Sequence, residues 1–171
     1  MRKISEQNYF GGKMLNKALI YIHGKGGTAD AAECFKPLFP DYDIYGFDYK
    51  SENPWDAEVE YKEYFTELSK EYSSITVIAS SLGAFFLMAS NISDLIQKAF
   101  FVSPIVNMEL LIIDMMRQAN VSKEELRDVG EINVSADTTL SWKYLEWVRN
   151  HPLVWSVPTF ILYGEKIISN Q

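Results

Sequence analysis

Hydrophobic and polar positions along this chain fall into two patterns that take turns. Short apolar runs appear at "ALIYI" (18–22), "YDIYGFDY" (42–49), "ITVIA" (75–79), "KAFFVSP" (98–104) and "VPTFILYG" (157–164). A run that is apolar without alternation suits a strand buried on both faces, the usual state of a parallel strand. Between the runs, apolar residues recur at helical spacing. The pattern predicts a short helix over 29–38, a longer one over 55–72 with Val59, Tyr64, Phe65 and Leu68 on its buried face, and a third from Gly83 through Ser90. Pro54 suits the opening of the second helix, where a missing N–H costs nothing. Strands alternating with helices predict an α/β fold, a mostly parallel twisted sheet covered by helices on both faces.

The stretch between Pro104 and Val157 is longer than a crossover helix requires. We read 107–153 as a helical cap inserted into a single domain spanning 1–171. Met108, Leu111, Ile112, Met115, Met116 and Ala119 would form one helix face, used for core packing. Leu140, Tyr144, Trp147 and Val148 would form another, with Asp137 and Thr138 as its caps. The acidic "SKEELRD" between them reads as a solvated face or a short helix.

Composition narrows the function classes. The 171 residues are 47% hydrophobic and 23% charged, the profile of an ordinary globular protein. A net charge of −7, without a basic stripe, disfavours nucleic acid and anionic membranes as partners. Cys34 is the only cysteine, so no intramolecular disulfide forms, and the opening "MRKISEQNYFGG" is polar. These features lead us to expect a cytoplasmic location. The two histidines, His23 and His151, are far apart in sequence, and we expect neither a metal nor a cofactor.

Candidate chemistry sits where two apolar runs end. Ala79-Ser80-Ser81-Leu82-Gly83 places a serine between small residues at a strand-to-helix turn, where crowding is relieved only if the flanking side chains are small. Centring the motif on Ser80 would put Ile78 and Leu82 at the crowded positions, so Ser81 is the better nucleophile. A bland alternative is that the Ser-Ser pair only caps the next helix. After the first run comes "YIHGKGGTAD" (21–30), whose glycines let backbone N–H groups approach a developing negative charge. The same loop also fits G-x-G-x-x-A, with Asp48 as a ribose-binding acid, which keeps a dinucleotide site open as an alternative. The Walker phosphate loop does not fit. Ser103, before Pro104, reads as a turn residue.

Taken together, the His-Gly-x-Gly loop, the serine turn and the strand order resemble the α/β-hydrolase fold, a resemblance that covers most of the chain. It implies a serine hydrolase for a small ester or other acyl substrate, with Ser81 as nucleophile. It also implies an oxyanion hole from the Leu82 amide and the Gly24, Lys25, Gly26 stretch, and a structural place for His23 beneath that loop. In this family the triad follows in the order Ser, acid, His. Here "FILYGEKIISNQ" carries Ile167 where an aspartate is common, leaving Glu165 as the substitute acid and Glu109 as a second candidate. His23 precedes the nucleophile, and His151 in "VRNHPL" suits a helix C-terminus. We therefore expect the family's final strand and helix to be missing, the triad to be incomplete and turnover to be impaired. A non-catalytic binding module on the same fold is the alternative. An unpaired edge at 158–163 would invite association with a second copy.

Overall fold

In the computed structural model, which describes residues 9–10, 13–14 and 16–164, five parallel strands form one sheet. Ahead of it, β1 (Tyr9–Phe10) and β2 (Lys13–Met14) pair as a small antiparallel ladder. The sheet strands are β3 (Lys17–Ile22), β4 (Asp43–Phe47), β5 (Ser74–Ser80), β6 (Lys98–Val102) and β9 (Thr159–Leu162), in the spatial order β4-β3-β5-β6-β9. All five expected runs are strands. Burial follows position: Ile75 through Ala79 on central β5 are buried without a break, whereas β9 leaves Phe160, Ile161 and Leu162 exposed. Each fully buried Leu, Ile or Phe contributes about 1.5–3 kcal/mol, so β3 and β5 anchor the molecule.

Two helices cover one face. In α1 (Pro54–Glu71), Pro54 takes the opening position and the Asn53 side chain accepts from the Asp56 N–H at 2.9 Å. Its buried residues are Pro54, Ala57, Tyr61 and Phe65, while Val59 is 57% exposed, so the buried stripe differs from the one the apolar pattern suggested. Of the expected face Phe65 is buried and Tyr64 and Leu68 are half-buried, while Ala57 and Tyr61 take the remaining buried positions. α2 (Ser81–Ala89) is buried from Gly83 to Ala89 on every side. Tyr61, Phe65, Phe86 and Phe47 interlock there, with ring centroids 4.9 Å apart for Phe47 and Tyr61. The opposite face is covered by a 3₁₀ segment, Ala29–Phe35, in place of the α-helix expected over 29–38. Phe47 points toward α1, while its neighbour Gly46 lies so close to Ala29 that a Cβ would stand 2.0 Å from the Ala29 carbonyl oxygen.

Two compact units emerge: Met1–Pro104 with Trp155–Gln171, and Ile105–Val154. The second holds α3 (Met108–Gln118), α4 (Lys123–Val129) and α5 (Trp142–Asn150), but also a β-hairpin of β7 (Glu131–Ser135) and β8 (Thr138–Ser141). The expectation of a purely helical segment is corrected here. Glu131 to Ser135 alternate exposed and half-buried residues and Thr138 to Ser141 bury only Leu140, the pattern of a two-stranded ribbon. Thr138 is a strand residue and Asp137 lies in the turn, so neither caps α5; Ser141 does, accepting from the Tyr144 N–H. Leu140 belongs to β8. Met108, Ile112, Met116, Leu126, Leu140 and Leu145 form this unit's buried set. No helix among the described residues is long and apolar enough to cross a membrane.

Candidate active site

Ser81 stands at the carboxyl end of β5, where the chain passes from strand to helix with no intervening loop. Its φ is +47°, in the left-handed region that costs a residue with a Cβ about 1–2 kcal/mol. Ser80 is the residue flanking the helix start, and its side chain makes no capping bond. The Ser-Ser pair is thus not there to cap α2. Being in the first helical turn, the Leu82 N–H has no acceptor within the helix.

The glycine loop packs directly against this turn. A Cβ on Gly83 would stand 2.2 Å from the His23 carbonyl oxygen and 2.8 Å from Ile22 Cγ2. On the facing side, a Cβ on Gly24 would lie 3.1 Å from Ser81 Cβ. Small residues on both partners therefore let the loop after β3 and the turn after β5 touch backbone to backbone. The loop itself is a turn closed by the Gly27 N–H on the Gly24 oxygen at 3.0 Å, with Gly26 at φ +76° in its third position, where a type II turn demands glycine. Gly24 is half-buried, while Lys25 and Gly26 are exposed.

His23 is buried beneath the loop. Its Nδ1 lies 2.9 Å from the Gly24 oxygen and, since a carbonyl can only accept, Nδ1 carries the proton. Nε2 is buried without a hydrogen-bond partner among the described residues. The ring stacks on Tyr49, with centroids 4.5 Å apart and planes 15° apart. The Tyr49 hydroxyl donates to the His23 carbonyl at 3.1 Å. Burial first, then the Glu60 carboxylate, pushes the Tyr49 phenol up to about 12, so it remains a donor throughout the ordinary pH range. Tyr49 had no place among the sequence candidates. A tyrosine ending a strand carries no motif, and only the fold brings it under residue 23.

Glu109 lies on α3 and pairs with Arg149 of α5 at 2.7 Å. Glu165 and Ile167 lie outside the described residues. His151 follows α5, stacks on Trp147 and bonds the Trp147 carbonyl through Nδ1 at 2.8 Å, closing the helix end as its position suggested. Asp48 is exposed and held below the usual carboxylate range by its hydrogen bond to Lys50. A dinucleotide site of the kind weighed above needs an α-helix opening from the glycine loop. A 3₁₀ segment stands there instead. Among the described residues, no three His, Cys, Asp or Glu side chains gather into a set able to hold a metal ion.

No protein-family model matches the sequence, and no curated protein matches it. Its structure does have counterparts among solved proteins. Est1E from Butyrivibrio proteoclasticus superposes with a TM-score of 0.63 at 15% identity, covering 88% of this chain and 67% of that one. The mouse alpha/beta hydrolase domain-containing protein 10 gives 0.60 at 13% identity, covering 88% and 70%. Monoacylglycerol lipase from Paleococcus ferrophilus gives 0.54 at 15%, covering 88% and 75%. With a parallel sheet in this strand order and these counterparts, the chain has the α/β-hydrolase fold.

Proposed function

We propose that this chain is a serine hydrolase for esters or related acyl compounds, with Ser81 as its nucleophile. One observation carries the proposal: a left-handed serine at a strand-to-helix junction, pressed between Gly24 and Gly83, the second of which no other residue could replace without moving the backbone. Proteins keep such strain where it has a use. Here it lifts the hydroxyl out at the carboxyl edge of the sheet, the edge where open α/β sheets bind ligands.

In the reaction we infer, Ser81 Oγ attacks the acyl carbon and gives up its proton to water, and the carbonyl π electrons move onto oxygen. The Leu82 N–H and an N–H from the Gly24 to Gly26 stretch stabilise that oxyanion. Collapse expels the alcohol or other leaving group, which takes a proton, and water then releases the acid from Ser81. No described residue hydrogen-bonds Ser81 Oγ. His23, with its Nδ1 proton committed to Gly24, is a support for the loop. Without an adjacent base the hydroxyl is a weak nucleophile. Oxyanion stabilisation and binding alone would sustain roughly 10³ to 10⁴-fold over the reaction in water.

The test is labelling by an alkyl fluorophosphonate, in which Ser81 Oγ displaces fluoride from phosphorus. Slow labelling of the peptide that contains Ser81, lost in Ser81→Ala, is the expected result. Equal labelling in Ser81→Ala would overturn the assignment. The hydroxyl has no hydrogen-bond partner among the described residues, which also favours a second reading, a binding module that holds acyl ligands without turning them over. Saturable binding of a carboxylate product, with no labelling at any time, would select it.

A further inference from the structure

Among the described residues, four other than glycine have a left-handed backbone: Ser81, Asn91, Ser103 and Asn120. The two asparagines follow the ends of α2 and α3, where such a residue commonly stops a helix. The two serines lie at strand ends, Ser81 after β5 and Ser103 after β6, with φ of +47° and +45°. Ser80 pairs with Val102 in the β5–β6 ladder, so the next residues on each strand, Ser81 and Ser103, stand side by side at the same edge. Adjacent strands are spaced about 4.8 Å apart, which sets the scale of their separation.

Local chemistry does not explain Ser103. Pro104 follows it, and a residue before proline is pushed toward extended backbone, away from what is observed. Tertiary structure holds it instead: the Ser103 N–H donates to the Leu162 oxygen at 2.7 Å, and Pro104 is buried. The side chain is exposed, and its hydroxyl has no hydrogen-bond partner among the described residues. Glycine would occupy this backbone conformation without strain. A serine there retains a hydroxyl, fixed to a rigid strand end and flanking Ser81 on the side opposite the glycine loop.

We propose that Ser103 is a substrate-contacting residue. Its hydroxyl hydrogen-bonds a hydroxyl, amide or carbonyl group that the substrate carries beside the reacting centre, on the β6 side. The site then favours acyl compounds with a polar substituent next to the scissile bond over plain alkyl ones. The inference rests on the assignment of Ser81 as nucleophile. A hydrogen bond of this kind changes a rate ratio by about five- to tenfold.

The experiment compares two fluorophosphonates of similar size, one bearing an ethoxy group on phosphorus and one a 2-hydroxyethoxy group, on the full chain. Rates are measured for the wild type, Ser103→Ala and Ser103→Gly. Glycine is included because it fits the left-handed backbone, so poor folding of the alanine variant leaves the test intact. In both variants we expect the hydroxylated probe to slow about five- to tenfold while the ethoxy probe changes less than twofold. Equal slowing of both probes, or no change in Ser103→Gly, would overturn the role of Ser103 and leave Ser81 standing. A wild-type chain that neither probe labels at Ser81 would remove the hydrolase assignment and this one with it.

Discussion

The left-handed serines at the strand ends and the left-handed asparagines at the helix ends share a backbone conformation and differ in everything that gives it meaning. Asn91 and Asn120 sit where a helix stops, and their strain is the ordinary cost of turning the chain. Ser81 and Ser103 sit where neighbouring strands end at one edge of the sheet, Ser81 against Gly24 and the Gly83 turn, and Ser103 tied to the Leu162 oxygen. A positive φ alone does not mark a site. The assignment we propose for Ser81 adds its register in the sheet and the glycines packed against it.

That contrast can be broken by substitution. The largest effect should come from Ser81→Ala, which removes fluorophosphonate labelling entirely while shifting the unfolding midpoint little, since the half-buried hydroxyl supports no packing. Next comes Gly83→Ala. With 2.2 Å between the new Cβ and the His23 carbonyl, the backbone must move, and we expect about 3 kcal/mol of lost stability in denaturant titration together with loss of labelling. Gly24→Ala meets Ser81 Cβ at 3.1 Å, a gap that a few tenths of an ångström can relieve. Labelling should slow about tenfold, with stability reduced by about 1 kcal/mol or less.

Tyr49→Phe keeps the stacked ring and deletes the bond to the His23 carbonyl. About 1 kcal/mol of stability should go, and the labelling rate should fall several-fold as the loop loses its register. Smallest of all, Asn91→Gly should stabilise by a few tenths of a kcal/mol and leave labelling unchanged, because a helix stop has no part in the chemistry. If Asn91→Gly altered labelling as much as Tyr49→Phe, the distinction between strand-end and helix-end strain would fail.

How much of this was legible in the sequence depends on which forces shape each part. The central strands β3 and β5 could be read because a strand buried on both faces has to be apolar throughout, and Ile75 to Ala79 obey that rule. Ser81 could be read because crowding at a sharp turn admits only small neighbours, which leaves a trace in residues 79 and 83. Tyr49 and Ser103 could not. Their placement beside His23 and Ser81 arises from register between strands distant in sequence, and neither spacing nor residue type encodes it. The hairpin at 131–141 was missed for a different reason: an exposed two-stranded ribbon needs little apolar surface, so its pattern is faint beside the helical periodicity on either side. For α1 the helix was predictable but the buried stripe was not, since Ala57 and Tyr61 pack where Val59 does not.

The edge strand β9 offers a separate check. Phe160, Ile161, Leu162 and Tyr163 are each half or more exposed, and among the described residues only β6 pairs with the strand. Concentration-dependent association by light scattering is expected, weakened by Ile161→Lys.

The helix that bears the serine has one more consequence, which concerns how the molecule is made. From Gly83 to Ala89, α2 buries every residue and contains no charge, so it has no side suited to water until α1 and the sheet flank it. Its strand neighbour β6 is synthesised only after it. During translation this segment is therefore an oily stretch awaiting its walls, the natural grip for a chaperone and the first place where a stalled or overproduced chain would stick to its copies.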